Sequence, residues 1–150
     1  TKFNMQKNTM KRIPLPSIAE IKSKTKGTLF DTLDLKILAI EDRRIEFSMR
    51  VSSKHLAPNH FLHGGAIVSL ADSACGIGAA THLPIGASSF TTIELKTNFL
   101  GTCTSGELRC IATPHHLGRR TQVWDANVTE QKGKNTIALF RCTQMILWPK

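Results

Sequence analysis

The sequence has 150 residues and a formal net charge of +9, with 41% hydrophobic and 21% charged residues. This length fits one domain with its own core, and the composition is typical of a soluble globular protein. No run approaches the roughly 18 apolar residues of a membrane-spanning helix, so we expect no membrane span. Four cysteines without a CxxC pair argue against a disulfide-stapled secreted domain, and we predict a cytoplasmic location.

The N-terminal segment is strongly basic. Up to Lys26 it carries seven Lys or Arg against one acid, Glu20. Ser17 is a suitable N-cap for a short helix that ends at Gly27. Basic tails bind nucleic acid or anionic lipid in some proteins, but this one lacks interleaved aromatic residues beyond Phe3. We therefore expect a solvated arm and no nucleic-acid partner.

After the arm, the pattern changes to that of β-strands. Apolar residues alternate with polar ones from Leu33 to Ile37 and again from Ile45 to Val51, and Glu41-Asp42-Arg43 separates the two runs. Such alternation predicts a hairpin with one buried face. A loop that contains Pro58 and Asn59 leads to the next element.

The run from His63 to His82, HGGAIVSLADSACGIGAATH, is predicted to be a long buried helix. Its apolar residues recur at spacings of three and four, and small residues fill most other positions. Gly64 and Gly65 open it. The N–H groups and the dipole of a first helical turn favour negative charge, so the sequence predicts an oxyanion site there.

Asp72 lies alone in the middle of this helix, since no other Asp, Glu, Lys or Arg occurs between Lys54 and Glu94. A buried carboxylate without partners picks up a proton or acquires hydrogen bonds. Asp72 is therefore either a structural aspartate held by Ser69, Ser73 or a neighbouring chain, or a catalytic carboxylate that faces a cleft.

Four further strands are predicted after the helix. They cover residues 87–100, 107–113, 119–130 and 135–148. In the first of them, Ile93, Leu95 and Phe99 are expected to share one face. The order is ββαββββ after a short N-terminal helix, an α+β fold with an antiparallel sheet against one long helix. We divide the chain into a basic arm, 1–27, and one domain, 28–150.

The motif HGGAIVSLAD, with Asp72 nine residues after His63, and the following strand TTIELKTNFL resemble the hot-dog-fold acyl-CoA thioesterases of the phenylacetate-pathway and 4-hydroxybenzoyl-CoA type. The similarity covers roughly Leu29 to Leu147. It implies a hot-dog fold, in which the sheet wraps around the central helix, and hydrolysis of acyl-CoA to free acid and CoA. It also implies a homodimer, in many members stacked into a homotetramer, with composite sites.

The resemblance implies a role for each residue of the motif. Asp72 is expected to be the base or the nucleophile, and the backbone N–H of Gly64 the donor to the thioester oxygen. Gly65 supports the turn and adds to the field of the helix end. His63 orients the loop or contacts the thioester region, and Thr92 corresponds to a hydroxyl residue that positions water in some relatives.

Two positions before the motif differ from many relatives. An asparagine six residues before the histidine and a glycine three before it are replaced by Ala57 and His60. The lost amide orients water or the thioester carbonyl, and Asn59 or His60 is expected to substitute for it. The difference keeps a second function open, that of a non-catalytic hot-dog module that binds acyl-CoA or a protein partner.

Gly118, Arg119 and Arg120 are predicted to contact the pantetheine and phosphates of CoA. Guanidinium groups suit phosphates because their N–H donors form a fixed fork, and the resemblance places this region along that path. The alternative is a pair of solvated arginines at the start of a strand. The histidines match no closed zinc pattern, so we expect no metal, and no cofactor beyond the CoA of the substrate.

Overall fold

The computed structural model describes residues 13–132 and 135–150. The helices in these ranges are α1 (Ile18–Thr25), α2 (Leu29–Thr32), a 3-10 helix (Ser53–His55) and α3 (Gly64–Thr81). The strands are β1 (Leu35–Glu41), β2 (Arg44–Arg50), β3 (Ser89–Phe99), β4 (Glu107–Leu117), β5 (Thr121–Glu130) and β6 (Thr136–Leu147). The element order agrees with the predicted ββαββββ after a short helix.

The six strands form one antiparallel sheet in the order β1-β2-β4-β5-β6-β3. β1 and β3 are therefore the two edge strands. Helix α3 packs across one face of the sheet and touches every strand except β1 closely. This is the predicted α+β architecture, in which one long helix supplies most of the core that the sheet covers.

Helix α3 is central because its side chains are small and apolar on the side that meets the sheet. Leu70, Ala71, Ala74 and Cys75 are fully buried. Close approach is tightest at Gly78, where a Cβ atom would lie 2.6 Å from the indole ring of Trp124 on β5. The glycine thus lets the largest buried side chain of the sheet lie directly on the helix backbone.

Strand β4 is longer than predicted, because we expected Pro114 to end it. The pairing with β2 stops at Ala112, which lies opposite Ile45 near the start of β2, so beyond Ala112 β4 needs no N–H for β2. A bulge between Pro114 and His116 also interrupts the pairing with β5. Proline is tolerated in a sheet at such an edge or bulge. The short helix α2 and the 3-10 helix were not predicted.

The arm carries the predicted cap. The Ser17 hydroxyl accepts the Glu20 N–H at 3.3 Å, and the Glu20 carboxylate accepts the Ser17 N–H at 2.7 Å. Ile21 of α1 is only 6% exposed and joins the core, so this part of the arm is packed against the domain. The boundary at residue 27 stays a prediction, and the basic residues before Ile13 lie outside the described residues. Within the described ranges, no helix is long and apolar enough to cross a membrane.

Candidate active site

The first turn of α3 leaves one backbone donor without an acceptor. His63 is the N-cap, and its Nδ1 accepts the Gly65 N–H at 2.7 Å. The N–H groups of Ala66 and Ile67 both reach the carbonyl oxygen of His63, at 3.0 and 3.3 Å. The N–H of Gly64 has no such partner in the described parts of the chain. It lies at the positive end of the helix dipole, where an oxyanion is favoured.

Little space is left for a side chain at the first two positions of α3. A Cβ atom on Gly64 would lie 3.0 Å from Cζ of Phe99, and one on Gly65 would lie 2.9 Å from Nδ1 of His63. Real Cβ atoms rarely come this close to other atoms. The two glycines therefore fit between the capping imidazole and an aromatic ring of β3.

One stripe of α3 faces the edge strand β3. A Cβ on Gly64 would touch the Phe99 ring, and one on Gly76, three turns later, would lie 3.8 Å from Cζ of Phe90. Asp72 is four residues before Gly76, and residues four apart are neighbours on a helix surface. Helix periodicity therefore places Asp72 on the side of α3 next to Gly76. We call the region between this side of α3 and β3 the α3–β3 cleft.

The floor of the cleft is the helix side of β3. A bulge between Thr92 and Glu94 resets the alternation of the strand, and Ile93 is its extra residue. Thr92 pairs with buried Gln144, and Thr97 pairs with buried Phe140. Cross-strand partners share a face, so both threonines lie on the helix side. Thr92 therefore lies on the side of the sheet that meets α3, and its role in positioning water stays a prediction. Leu95 and Phe99 pair with buried Cys142 and Ala138 and so share the helix side, as expected, whereas Ile93 lies in the bulge without a cross-strand partner on β6.

The carboxylate of Asp72 lies in apolar surroundings without a donor. Its Oδ1 is buried and has no hydrogen-bond partner among the described residues. Burial raises the pKa of Asp72 above its ordinary range. Ser69, one of the expected partners, instead donates its hydroxyl to the carbonyl oxygen of Gly65 at 2.8 Å. The structure therefore gives no support to a structural aspartate held by Ser69.

The loop before α3 holds the residues that were expected to replace the missing amide. Oδ1 of Asn59 accepts the Phe61 N–H at 3.2 Å, and His60 adopts a left-handed backbone with φ +64°. The His60 N–H donates to the carbonyl oxygen of Ala57 at 2.8 Å. Both side chains are exposed, and Asn59 is used in the turn itself. The geometry assigns Asn59 a role in shaping this loop.

The predicted phosphate contacts lie in the turn between β4 and β5. The Gly118 N–H donates to the carbonyl oxygen of Thr121 at 2.9 Å, which closes the turn. Arg119 and Arg120 are exposed. The guanidinium carbon of Arg119 lies 4.7 Å from the ring centroid of Trp148. Sequence reasoning missed Trp148, because an aromatic residue at a strand end gives no signal of its neighbours.

This turn lies at the end of the α3–β3 cleft. The Ser88 N–H donates to the carbonyl oxygen of Leu147 at 2.8 Å, so Trp148 follows directly beside the start of β3. Phe90, which meets Gly76, is the second residue of that strand. The described residues hold no cluster of His, Cys, Asp or Glu that is fit for a metal.

Comparison with known proteins identifies the family. The sequence profile of the thioesterase superfamily matches residues 59–137, more than half of the chain. The chain belongs to the thioesterase superfamily. The 1,4-dihydroxy-2-naphthoyl-CoA hydrolase of Escherichia coli is 33% identical over 108 residues, which cover 72% of this chain and 79% of that protein. The hydrolase of the same name from Listeria monocytogenes is 31% identical over 115 residues, which cover 77% and 92%.

A solved structure agrees with the family. A glutamine-to-alanine variant of a thioesterase from Pseudomonas aeruginosa matches with a TM-score of 0.85 and 28% identity, over 91% of this chain and 97% of that one. The predicted resemblance to the hot-dog thioesterases and the hot-dog fold are confirmed. The prediction of an enzyme that hydrolyses thioesters is confirmed as well.

Proposed function

We propose that this thioesterase hydrolyses acyl-CoA esters at a site shared by two copies of the chain. Asp72 of one copy is the base or nucleophile, and the Gly64 N–H of the other holds the thioester oxygen. The observation that carries the proposal is that α3 begins with an unbonded Gly64 N–H and carries the half-buried Asp72, whose buried Oδ1 has no partner among the described residues. Together they provide an oxyanion donor and a group that accepts a proton.

The helix geometry supports a shared site. Gly64 and Asp72 are eight residues apart on α3, which corresponds to roughly 12 Å along the axis at 1.5 Å per residue. The carbonyl carbon and the carbonyl oxygen of a thioester are directly bonded, so the groups that act on them must lie close together. One chain therefore cannot present its own Gly64 N–H and its own Asp72 to the same thioester, whereas two chains related by a two-fold axis can.

The edge strand β3 supplies the contact for the second copy. It has 11 residues, pairs only with β6, and exposes Ile93, Leu95 and Phe99. A long edge with unpaired backbone groups and exposed apolar side chains is a template for another strand. We propose that β3 pairs with β3 of a second copy, and this pairing brings the two clefts together. Stacking of two dimers into a tetramer stays a prediction.

The reaction follows from these groups. In the base route, Asp72 takes a proton from water as the water oxygen bonds to the thioester carbon, and the carbonyl electron pair moves onto the oxygen beside Gly64. The tetrahedral intermediate then expels the CoA thiolate, which takes the proton from Asp72. In the nucleophile route, the carboxylate attacks, thiolate leaves, and water hydrolyses the resulting anhydride. Thr92 on the cleft floor is placed to orient water in either route.

The apolar side chains on the helix side of β3 favour an aromatic acyl group. They are Phe90, Leu95 and Phe99, of which two are aromatic. Two relatives are named as hydrolases of 1,4-dihydroxy-2-naphthoyl-CoA. We include aromatic acyl-CoA esters among the substrates on these grounds.

Release of free thiol from benzoyl-CoA, 1-hydroxy-2-naphthoyl-CoA and palmitoyl-CoA tests the proposal. Asp72→Asn is expected to lower turnover at least about a hundredfold, the lower end for an acid–base group. Asp125→Asn is the matched control, because Asp125 pairs with Arg141 on the opposite face of the sheet. Full turnover in Asp72→Asn would overturn the mechanism.

A non-catalytic module is the second candidate, because Ala57 stands where many relatives carry an amide. Tight binding of the same esters without thiol release, in wild type and in Asp72→Asn, would favour it. Asp72→Glu separates the two further. It is expected to retain partial turnover if the carboxylate acts chemically, and it has no effect on a module that only binds.

A further inference from the structure

Trp148 and Arg119 form a stacked pair at the end of the α3–β3 cleft. The guanidinium carbon of Arg119 lies 4.7 Å from the centroid of the Trp148 ring. The indole Nε1–H donates to the carbonyl oxygen of Arg119 at 3.2 Å. One tryptophan thus holds both the backbone and the side chain of the same arginine. We call Arg119, Arg120 and Trp148 the Trp148 corner.

The backbone of the corner is fixed by the last strand. The Ile146 N–H donates to the carbonyl oxygen of Arg120 at 2.8 Å, and the Gly118 N–H donates to that of Thr121 at 2.9 Å. Gly86, in the loop after α3, lies under the ring edge, where a Cβ would be 3.5 Å from Cζ3 of Trp148. Arg119 therefore lies in a turn whose backbone is fixed by hydrogen bonds.

The positive charge of the corner is not neutralised. Neither Arg119 nor Arg120 has a carboxylate within salt-bridge distance in the described parts of the chain. Other arginines of the sheet are paired, namely Arg44 with Glu41 and Glu46, Arg109 with Glu46, and Arg141 with Asp125. A guanidinium that stacks on an aromatic face keeps its N–H donors directed outward in its plane. Such an unpaired fork fits a phosphate.

The corner lies within reach of the reaction site along the strand. Asp72 is four residues before Gly76, roughly 6 Å along α3 at 1.5 Å per residue, and Gly76 faces the ring of Phe90. Phe90 follows Ser89, which pairs with Leu147, the residue before Trp148. A CoA ester must extend its pantetheine arm away from the thioester before its phosphates begin, and this direction leads to two unpaired arginines.

We propose that Trp148 is a positioning residue that presents the Arg119 guanidinium to a phosphate of the CoA nucleotide. The inference rests on the proposed acyl-CoA hydrolysis and extends it to a residue outside the predicted site. Trp148 fixes the plane of the guanidinium before the ligand arrives. Less side-chain freedom is then lost on binding, and such preorganisation raises affinity. The corner acts on binding of CoA and leaves the chemical step at Asp72 unchanged.

Kinetics with three esters of one acyl group test the proposal: benzoyl-CoA, benzoyl-dephospho-CoA and the benzoyl thioester of N-acetylcysteamine. Trp148→Leu and Arg119→Gln are expected to raise KM for benzoyl-CoA about tenfold, the effect of one charge-assisted hydrogen bond, with kcat unchanged. Neither should change kcat/KM for the N-acetylcysteamine ester, which lacks every phosphate. Trp148→Phe retains an aromatic face and should restore most of the affinity.

The dephospho ester identifies the phosphate. If the 3′-phosphate is bound, both substitutions leave KM for the dephospho ester unchanged, and if the pyrophosphate is bound they raise it. Arg141→Gln is the control, an exposed arginine that pairs with Asp125 away from the corner. It should change no KM.

Calorimetric binding of CoA itself separates this inference from the proposed function. A wild type that releases no thiol but binds CoA, with weaker binding in Trp148→Leu and Arg119→Gln, would refute hydrolysis and support the corner. Unchanged KM and unchanged CoA binding in Arg119→Gln, which leaves the fold intact, would overturn the inference. Equal losses on the N-acetylcysteamine ester would overturn it too, because they would place the effect in the fold or the chemistry.

Discussion

Nδ1 of His63 accepts the backbone N–H of Gly65 at 2.7 Å and so closes the first turn of α3. Serine, threonine, asparagine and aspartate are the usual N-caps. Because Nδ1 accepts this bond, the neutral ring carries its proton on Nε2. The lone pair on Nδ1 is engaged by the helix, so this nitrogen caps the turn, and the catalytic role of His63 stays a prediction.

Replacement of His63 should therefore affect the helix start first. His63→Ala is expected to lower the free energy of unfolding by about 1 kcal/mol, the usual effect of a lost N-cap. His63→Asn should remain within a few tenths of a kcal/mol of wild type, because an asparagine oxygen also caps. Urea unfolding measures both. If the two variants are equally destabilised, the imidazole contributes by some route other than the cap.

Gly64 offers a direct test of the oxyanion donor. Proline is compatible with the first position of a helix, and His63, with φ −70° and ψ 131°, has the extended backbone that precedes proline. Gly64→Pro deletes the N–H without breaking the helix. Turnover should fall at least about a hundredfold below that of Gly64→Ala, as when an oxyanion donor is removed. Initial-rate assays on one ester compare the two.

Gly64→Ala is the necessary control because it adds the same Cβ atom 3.0 Å from Phe99 but keeps the N–H. Any loss of turnover in Gly64→Ala measures the effect of this clash. Adding Phe99→Leu to the same chain should restore part of the lost turnover. Equal turnover in the proline and alanine variants would exclude the Gly64 N–H as the donor.

The pH dependence of stability reports the environment of Asp72. Burial raises the pKa of this carboxyl in the folded chain above the ordinary value of 3.8. The fold therefore favours the protonated Asp72 carboxyl. The stability that depends on this protonated form is fully present below the ordinary pKa, and it is lost as pH rises through the raised pKa of the folded chain. Asp72→Asn should gain stability relative to wild type across that window and keep the gain at neutral pH. Unfolding curves of wild type and Asp72→Asn between about pH 3 and pH 8, a range that includes both protonation states of Asp72, measure this difference in stability.

The acid limb of turnover should follow the same group. Activity requires ionised Asp72, so kcat is expected to fall as pH decreases through a value above 3.8. A limb at or below the ordinary value would mean that a donor from the second copy stabilises the carboxylate, which reverses the effect of burial.

The overall fold was accessible from the sequence because its periodicities are strong. The run His63–His82 was predicted as one helix, and α3 spans Gly64–Thr81. The hairpin of β1 and β2 follows from the clean alternation of apolar and polar residues. The expectation of one buried face is wrong for β2, because Glu46 and Ser48 on its second face are buried as well. Asp72 stands alone in an otherwise uncharged run, and this pattern is enough to identify it as the candidate carboxylate.

Other features depend on neighbours that a sequence does not reveal. The bulge at Ile93 depends on the register in which β3 pairs with β6, and Pro114 is tolerated in β4 because the pairing with β2 does not extend past Ala112. Ser69 bonds to a carbonyl of its own helix, as serine in a helix often does, and so is withdrawn from Asp72. Arg119 lies between β4 and β5 and Trp148 follows β6, so their contact depends on how these three strands pair.

The proposed pairing of β3 with a second copy predicts an oligomer that one charge disrupts. Ile93 is the extra residue of the β3 bulge and is 54% exposed. Ile93→Lys should convert dimers to monomers in light scattering and abolish turnover, because the site is shared. Leu38 is the matched control, 48% exposed at a bulge of the opposite edge strand. Leu38→Lys should retain both, and a dimer that survives Ile93→Lys would exclude this edge.

Thr97 carries a buried hydroxyl without a partner in the described chain, and its replacement by an apolar residue of the same shape should stabilise the fold. An unsatisfied buried polar atom costs about 1–3 kcal/mol, and valine fits a strand as well as threonine does. Thr97→Val is expected to raise the free energy of unfolding by about 1 kcal/mol in urea. Thr143→Val is the control, since its hydroxyl donates to Glu94 at 3.4 Å and its loss brings no gain. A less stable Thr97→Val would show that the hydroxyl is hydrogen-bonded in the assembled enzyme, and its place on the cleft floor would point to the second copy as the partner.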